Sequence, residues 1–551
     1  MTTIYPARRV VTLDQARPSA EAVAVRGDRV LAVGSLAELA AFRGATVDDR
    51  YRDDVLFPGF VEAHAHAESA TVWRNRYVGY FERRDPRGVT WPGSTSIATV
   101  VERLRVAERE LTDPDEVLFA WGFDPIYLGS DRLLAADLDR VSTTRPIYVH
   151  HANGHVASVN SALITRDGIH RGLTVEGLGR DASGQPNGEL KEHAAMSLAT
   201  SASIRTRAPL DVGGLLEFGT EASRAGVTTI TDLASTALLT DAGIGMYREV
   251  TGSTAFSARL VPFHFGAFPT PGLTVDEAAK RLVDLRDSST AKLSLGGVKL
   301  MLDGSIQAFT ARLAEPGYLN HEPNGIWVVP PAQFEAAFEV FHRAGLLVHV
   351  HVNGDEATEV MLDVVERVLA RHPRFDHRHT VTHSQLSTAA QYRRMAALGL
   401  GANLFANHTW YWGDQHRDIT VGPDRAGRMN AAATALRAGV PISLHSDTPV
   451  TPLDPLATAS YAIERRTASG AVLGANEAIT LDQALRAVTI GAAFLLKRDG
   501  AVGSIEGGKF ADFAVLDRDP YAVATAAELR EITVLGTVVG GAHYPADPLL
   551  R

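Results

Sequence analysis

The sequence contains no cysteine among its 551 residues. This absence excludes a disulfide framework and a thiolate metal site, so any metal must be bound by histidine, aspartate, glutamate or a modified side chain. No run of about 18 uncharged apolar residues occurs, and such a run is what a membrane-spanning helix requires. The first residues, Met1–Ala16, reach an acidic side chain before an apolar core of signal-peptide length. We therefore expect a soluble, cytoplasmic protein.

Strong charge is also missing. The net charge is −10, and no run of lysine or arginine stands out. This pattern disfavours nucleic acid and anionic membranes as partners. Apolar residues make up 45% of the chain, and a chain of this length is expected to build a large core and more than one domain.

The two ends of the chain differ from its middle in their pattern of apolar and turn-forming residues. Residues 1–55 and the C-terminal residues after about 500 consist of short strand-like runs punctuated by glycine and aspartate. Between them, short apolar runs alternate with helical stretches, which is typical of parallel strands in βα units. Eight such runs can be counted, at 60–66, 227–232, 260–266, 297–302, 346–352, 379–384, 400–406 and 440–447. Eight is the number that an α/β fold of the (β/α)8 barrel type needs.

The interval between the first and second predicted strands is too long for one βα unit. We therefore predict an inserted segment at about 70–215 within a barrel domain of residues 56–499. Residues 1–55 and 500–551 are predicted to form a separate β-rich domain. Buried helical pieces can resemble parallel strands in such runs, so the barrel rests mainly on the regular spacing after the second strand.

The segment PGFVEAHAHAES, residues 58–69, places His64 and His66 two apart at the end of an apolar run. Alternate residues of a strand share a face, so both imidazoles are predicted to point the same way. At the C-terminal end of a barrel strand, that face looks into the mouth where barrel enzymes place their sites. The alternative is a pair of core or surface histidines without a ligand.

Further polar side chains fall at the ends of other predicted strands. His351, His383 and Asp447 end three of them, and Lys299 lies within the apolar run GVKLML. A buried charge is costly unless it is paired or bound to metal. Imidazole and carboxylate are suitable ligands for a divalent ion such as zinc. The set therefore predicts a metal site at the barrel mouth.

With these motifs in place, the sequence resembles the amidohydrolase superfamily, and within it amidohydrolase family 3, the YtcJ-like metal-dependent hydrolases. The resemblance covers nearly the whole chain. It is carried by FPGFVEAHAH, GHVASVNSAL (154–163), VKLMLDGSIQAFTARL (298–313), HVNGDEA, THSQL, HSDTPV and the segment 479–520. It implies that the two β-rich ends pair into one small β-sandwich beside the barrel. It also implies a homodimer, since dimers are common among such proteins.

The resemblance also implies a ligand set for one or two zinc ions. His64, His66 and Asp447 would hold the first ion, His351 and His383 a second, and Lys299, carboxylated by carbon dioxide, would bridge them. Two alternatives remain open at this point. In the first, Lys299 is an unmodified lysine paired with Asp303 or another acid. In the second, His349, which lies on the same face of the strand, is the ligand in place of His351.

Residues implied to contact the substrate come from the insertion and from the later strand ends. They are His155, Asn160, Asp303, His408, Trp410, Tyr411 and His445, with Glu192 as a weaker candidate. Asn153 stands where relatives often have an acid. The aromatic cluster after the seventh strand suits an apolar substrate group, and it equally suits packing against the insertion. His445, where many relatives have glycine, would contact substrate or pack against a loop.

The implied reaction is metal-dependent hydrolysis of a C–N bond, with Asp447 as general base and acid. The implied substrate is a small aromatic or apolar N-substituted amide, such as a formamide. Two alternatives use the same scaffold. One is a hydrolase of cyclic amides or imidazolone-like rings, or a decarboxylase, and the other is a regulatory homologue without turnover.

Overall fold

The computed structural model describes residues 2–129, 131–202 and 209–546. Its centre is a parallel barrel, and all eight predicted strands are present in it. The strands are β1 Phe60–Glu62, β2 Val227–Ser235, β3 Arg259–Phe265, β4 Gly297–Met301, β5 Leu347–Val352, β6 Thr380–His383, β7 Gly401–Leu404 and β8 Ile442–Leu444. Each pairs in parallel with the next along the chain. Backbone bonds from Asp447 N to His64 O (3.1 Å) and from His66 N to Thr448 O (3.0 Å) link β8 to β1.

The first and last barrel strands are shorter than the sequence predicts. Strand β1 ends at Glu62 and β8 at Leu444, so His64, His66 and Asp447 lie in the loops that follow. The prediction that alternation along a strand aligns His64 and His66 is therefore wrong. The buried carboxylate of Glu62 accepts the backbone N–H groups of His64 (3.0 Å) and Ser446 (3.1 Å), which diverts them from the strand ladder.

Helices cover the outside of the barrel. Threonine caps begin several of them, with a glutamate or glutamine three residues later that closes a capping box, as at Thr274, Thr388 and Thr480. Their bounds are Val212–Arg224, Asp241–Gly252, Val275–Asp287, Pro331–Arg343, Asp355–Arg371, Ala389–Ala397, Asn407–Gln415, Gly422–Gly427, Ala432–Arg437, Pro455–Glu464, Leu481–Ala487 and Ile490–Leu495. In the described part of the chain, none of the helices combines the length and apolarity needed to span a bilayer.

The predicted insertion between β1 and β2 contains a sheet of its own. Its six strands are Arg76–Tyr77, Leu118–Phe123, Ile147–His151, Val156–Val159, Leu178–Arg180 and Pro186–Lys191. Helices Glu68–Thr71, Ile97–Glu110, Ala135–Asp139, Ser161–Arg166 and Glu192–Met196 accompany it. Trp73, Trp121 and Tyr148 belong to its aromatic core. The helix Val212–Arg224, by contrast, packs into the barrel core through Leu215 and Phe218.

The two chain ends join in one eight-stranded sheet. It contains Thr2–Val11, Ser19–Arg26, Arg29–Gly34, Ala45–Val47, Val55–Pro58, Phe513–Leu516, Val534–Val539 and Ala542–Pro545. The strand before the barrel, Val55–Pro58, pairs antiparallel with Phe513–Leu516 from the far end of the sequence. A short helix, Leu36–Leu39, lies between the early strands. The sandwich arrangement and the domain boundaries stay predictions.

Candidate metal centre

Three ligand atoms converge at the barrel mouth. The Nε2 atoms of His64 and His66 lie 3.1 Å and 3.2 Å from Asp447 Oδ1. That oxygen is buried and has no hydrogen-bond partner among the described residues. In a tetrahedral zinc site with bonds of about 2.0–2.1 Å, neighbouring ligand atoms lie about 3.3 Å apart. Two imidazoles and one carboxylate at this spacing fit a divalent cation.

The protonation of Asp447 and His64 also suits metal binding. Burial alone would raise the pKa of Asp447, but the adjacent His64 and His66 hold it well below its usual range. Burial lowers the pKa of His64 well below its ordinary value. A carboxylate and a neutral imidazole are the forms that bind metal. Burial alone would lower the pKa of His66, but the neighbouring Asp447 raises it above its ordinary value.

A second pair of imidazoles lies beside the first group. His383 Nε2 is 3.0 Å from His351 Nδ1, and His383 Nδ1 is 3.9 Å from Asp447 Oδ2. Burial lowers the pKa of both histidines well below the ordinary value. His349, the competing residue on β5, instead places its Nε2 atom 3.2 Å from Leu495 O, away from His383. The geometry therefore favours His351 over His349 as the partner of His383.

Lys299 is buried between these groups without a partner. Its Nζ atom makes no hydrogen bond with the described residues, and burial lowers its pKa to about 7. Asp303, the alternative partner, uses its carboxylate otherwise: it accepts the backbone N–H groups of Asn353 (2.9 Å), Gly354 (2.8 Å) and Arg312 (3.0 Å). A buried amine that is partly neutral near pH 7 has the nucleophilic form that carbon dioxide needs for carboxylation.

These side chains form the floor of a cavity of about 370 Å³. The insertion provides much of its wall. The floor consists of His64, His66, Lys299, His351, His383 and Asp447, and the wall includes Glu68, Trp121, Tyr148, His150, His151, His155, His193, Phe265 and Met301. Its size is within the usual range of about 300–1,000 Å³ for small-molecule sites.

His155 reaches this cavity as predicted, and Glu192 holds it there. The Nδ1 atom of His155 lies 3.1 Å and 2.9 Å from the two carboxylate oxygens of Glu192. The backbone N–H of Glu192 also donates to His155 O at 2.7 Å. The ring of His155 is centred 5.0 Å from that of His351. An imidazole of the insertion is therefore fixed beside the predicted ligands.

Other predicted substrate contacts lie away from the cavity wall. Asn160 caps the helix Ser161–Arg166: its Oδ1 accepts from the N–H groups of Leu163 and Ile147, and its Nδ2 donates to the carbonyls of Ser142 and Arg145. With its amide fully used, Asn160 has a structural role. Asp303 likewise has a structural role, since its carboxylate joins the segment after β4 to the first residues after β5.

The aromatic segment after β7 forms the helix Asn407–Gln415, which packs against the insertion. Phe81 contacts both Trp410 and Tyr411, at 5.5 Å and 5.1 Å between ring centres. His408 bonds His416 through its Nδ1 atom (3.0 Å). None of these helix residues lines the 370 Å³ cavity. These contacts therefore favour the alternative in which the aromatic cluster packs against the insertion.

His445 lies behind the predicted metal ligands. It is fully buried and stacks on His64 (4.7 Å between ring centres, 16° between planes) and on Phe405 (4.7 Å, 26°). It supports the ring of His64 and does not line the cavity.

Several wall residues were not singled out in the sequence. Trp121, Tyr148 and His150 lie on two neighbouring strands of the insertion, and His193 follows Glu192. The alternation of Tyr148 and His150 along YVHH was a usable signal that they share a face. Which face meets the barrel depends on how the insertion docks.

Comparisons with known proteins identify relatives of this chain and a shared fold. A family model described as the amidohydrolase family matches residues 52–543. The N-substituted formamide deformylase of Arthrobacter pascens is 29% identical, over 97% of this chain and 96% of its own length. A putative amidohydrolase, YtcJ, of Bacillus subtilis (strain 168) is 25% identical, over 98% of this chain and 99% of its own. Among solved structures, an uncharacterized metal-dependent hydrolase from Pyrococcus horikoshii OT3 superposes with a TM-score of 0.70 at 19% identity, covering 99% of this chain and 100% of its own.

Proposed function

The chain belongs to the amidohydrolase family, and from its candidate metal centre we propose that this hydrolase cleaves the C–N bond of a small N-substituted amide, such as a formamide. The observation that supports this most is the convergence of His64 and His66 on Asp447, at 3.1 Å and 3.2 Å, at the floor of the 370 Å³ cavity. The name of the relative from Arthrobacter pascens supports the formamide. Every position of the predicted ligand set is filled, which favours turnover over a regulatory role.

The proposed ligand set is the one that the sequence resemblance implies. His64, His66 and Asp447 would hold one divalent ion, zinc by the chemistry of these donors, and His351 and His383 a second, with carboxylated Lys299 between them. The unpartnered Lys299 Nζ fits this assignment, because a buried polar atom without a partner is otherwise costly. When bound, zinc polarises a carbonyl and lowers the pKa of water to about 7.

Residues of the chain carry out the proton transfers. Asp447, kept ionised by its histidine neighbours, accepts a proton from the attacking water at its carboxylate. It passes that proton to the amine nitrogen as the C–N bond breaks, which releases a carboxylic acid and an amine. His155, oriented by Glu192, contacts the carbonyl end of the substrate. The aromatic wall of Trp121, Tyr148 and Phe265 binds the group on the amide nitrogen and excludes water.

A comparison of two acyl groups tests this proposal. Zinc-loaded protein is incubated with N-benzylformamide and with N-benzylacetamide, and the released benzylamine is measured with and without a chelator. We expect chelator-sensitive amine release, faster from the formamide. The exposed residue His170 supplies a control, since His170→Gln leaves this release unchanged. Amine release from the acetamide alone would show that the enzyme cleaves an acetyl amide and not a formamide. Amine release from neither compound would overturn the assignment as an amide hydrolase.

A further inference from the structure

An outer cavity of about 430 Å³ lies next to the one above the metal centre. Its wall includes Glu176, His193, Phe268, Ile326, Trp327 and Val328. His193 and Ser197 line both cavities, so the two spaces meet at the helix Glu192–Met196. The outer cavity therefore adjoins the candidate active site along this helix.

Aromatic rings form a path from one cavity to the other. Phe265, which lines the inner cavity, is 5.8 Å from His193 between ring centres, and His193 is 5.0 Å from Phe268 in the outer cavity. Phe265 and Phe268 are themselves 5.5 Å apart. An apolar group that leaves the inner cavity along this path would stay in contact with rings throughout, which is favourable because its surface remains out of water.

The far wall of the outer cavity is held in place. The guanidinium of Arg312 lies 4.9 Å from the ring centre of Trp327. Arg312 is fixed in turn by bonds from its Nη2 atom to Glu356 Oε1 (2.8 Å) and from its Nη1 atom to Gly325 O (3.0 Å). A preformed aromatic wall binds a ligand at a lower cost in conformational entropy than a mobile one. Glu176, exposed at the rim, adds a negative charge that disfavours an anionic group there.

From these features we propose that the outer cavity is a specificity subsite for the far end of the group on the amide nitrogen. The inference rests on the proposed amide hydrolysis and names its substrate class: amides whose nitrogen carries a long, uncharged apolar chain or an arylalkyl chain. The acyl group lies at the metal centre, the chain passes His193, and its end packs against Phe268 and Trp327.

Binding of substrate analogues that are not hydrolysed tests the subsite. N-Hydroxyformamides carry a metal-binding head and a variable group on nitrogen, and their affinity for the zinc-loaded protein can be measured by calorimetry. The series runs from N-methyl through benzyl to a phenyl group on a longer methylene chain. We expect the long arylalkyl compound to bind about tenfold more tightly than the N-methyl compound. Trp327→Ala and Phe268→Ala should each remove most of that gain and leave the affinity of the N-methyl compound unchanged.

Phe375→Ala provides the matched control, because Phe375 is 97% exposed in the loop before β6, at the N-terminal end of the barrel strands. This variant should keep the full gain. An affinity that does not depend on chain length, a gain that survives in both subsite variants, or no binding of any compound would overturn the subsite. Amine release from simple amides, measured separately, decides the proposed reaction whatever the outcome here.

Discussion

Glu192 lies so close to Gly304 that a Cβ atom at position 304 would be 2.1 Å from Glu192 Oε1. Glu192 belongs to the insertion, and Gly304 follows barrel strand β4. The same carboxylate holds His155, and Gly304 O accepts from Asn353 Nδ2 at 2.7 Å, next to His351. The missing side chain of Gly304 therefore lets the insertion close onto the barrel at the site.

Gly304→Ala should displace Glu192, and with it His155, together with Thr310, whose Oγ1 would lie 2.2 Å from the added Cβ. We expect kcat/KM for amide hydrolysis to fall by about 100-fold, because small displacements of groups that contact the substrate are costly in rate. Circular dichroism should show the fold retained. Gly245→Ala is the control: Gly245 is at an exposed position of the helix Asp241–Gly252 and nothing lies within 4 Å of its Cβ position, so activity should be unchanged. Unchanged activity in Gly304→Ala would contradict this role of Glu192.

Carboxylation of Lys299 can be observed directly. Its buried, unpartnered Nζ atom and its pKa of about 7 favour reaction with carbon dioxide. Protein loaded with zinc in isotope-labelled bicarbonate should show one carbamate carbon signal by NMR, and Lys299→Met should lack that signal and lose metal. A wild-type protein with full metal content and no carbamate signal would show that Lys299 is not a bridging ligand.

The buried ion pair of Arg259 and Asp512 joins the barrel to the sheet of the chain ends. Arg259 Nε lies 2.6 Å from Asp512 Oδ2, and both side chains are nearly inaccessible. Asp512→Ala would leave the buried charge of Arg259 without its carboxylate partner, with only the bond from Nη1 to Ala291 O (2.7 Å) and the contact with Phe510 remaining, and breaking a buried pair in this way typically costs about 3–5 kcal/mol. Urea unfolding should show that loss, and the double variant with Arg259→Met should recover part of it. A loss below about 1 kcal/mol, the value of a surface pair, would contradict a structural role for this pair.

A chain of neutral histidines under the barrel should make the protein sensitive to acid. His379 Nδ1 accepts from Val348 N at 3.1 Å, so its neutral ring carries hydrogen on Nε2, which faces His342 Nδ1 at 2.9 Å. His342 Nε2 in turn faces His372 O at 2.8 Å. Each ring nitrogen is used, and an added proton would break one of these bonds. Burial lowers the pKa of His379 well below its ordinary value and that of nearby His377 to about 4.

Because these pKa values lie below those of the unfolded chain, about 6.5, the unfolded state takes up more protons as the pH falls. The stabilisation is complete above pH 6.5 and decreases below it, by up to about 1.4 kcal/mol per pH unit for each ring. Urea unfolding between pH 7.5 and 5 should show this dependence of the free energy of unfolding on pH. His379→Gln should reduce the slope by up to about 1.4 kcal/mol per pH unit, the contribution of one ring. His170→Gln, an exposed control, should not. A wild-type slope near zero would contradict the account.

Much of the fold was readable from the sequence because parallel barrel strands are short apolar runs at regular intervals. The ends of those strands were not, because Glu62 captures the amides of His64 and Ser446 through a contact between β1 and the residues after β8. The convergence of His64, His66 and Asp447 thus arises in loops, although the residues themselves were identified from their position after apolar runs.

The cavity wall was harder to predict than its floor. His155 was identified by its motif, whereas Trp121 and His193 line the cavity above the metal centre only because the insertion folds over the barrel mouth. Asn160, in the same motif as His155, is used as a helix cap instead. Docking of an insertion depends on contacts between segments distant in sequence, such as Glu192 with Gly304, and periodicity carries no information on those.

The most direct test of the metal-dependent mechanism is metal content and amine release measured together on wild-type protein and on Asp447→Asn. Asp447→Asn keeps the shape of the side chain and removes the charge that both binds metal and moves the proton. We predict one or two equivalents of zinc and chelator-sensitive hydrolysis of N-benzylformamide in the wild type, with turnover lost and metal reduced in a folded variant. Wild-type rates in Asp447→Asn, or wild-type protein that hydrolyses the amide without any bound metal, would contradict the account.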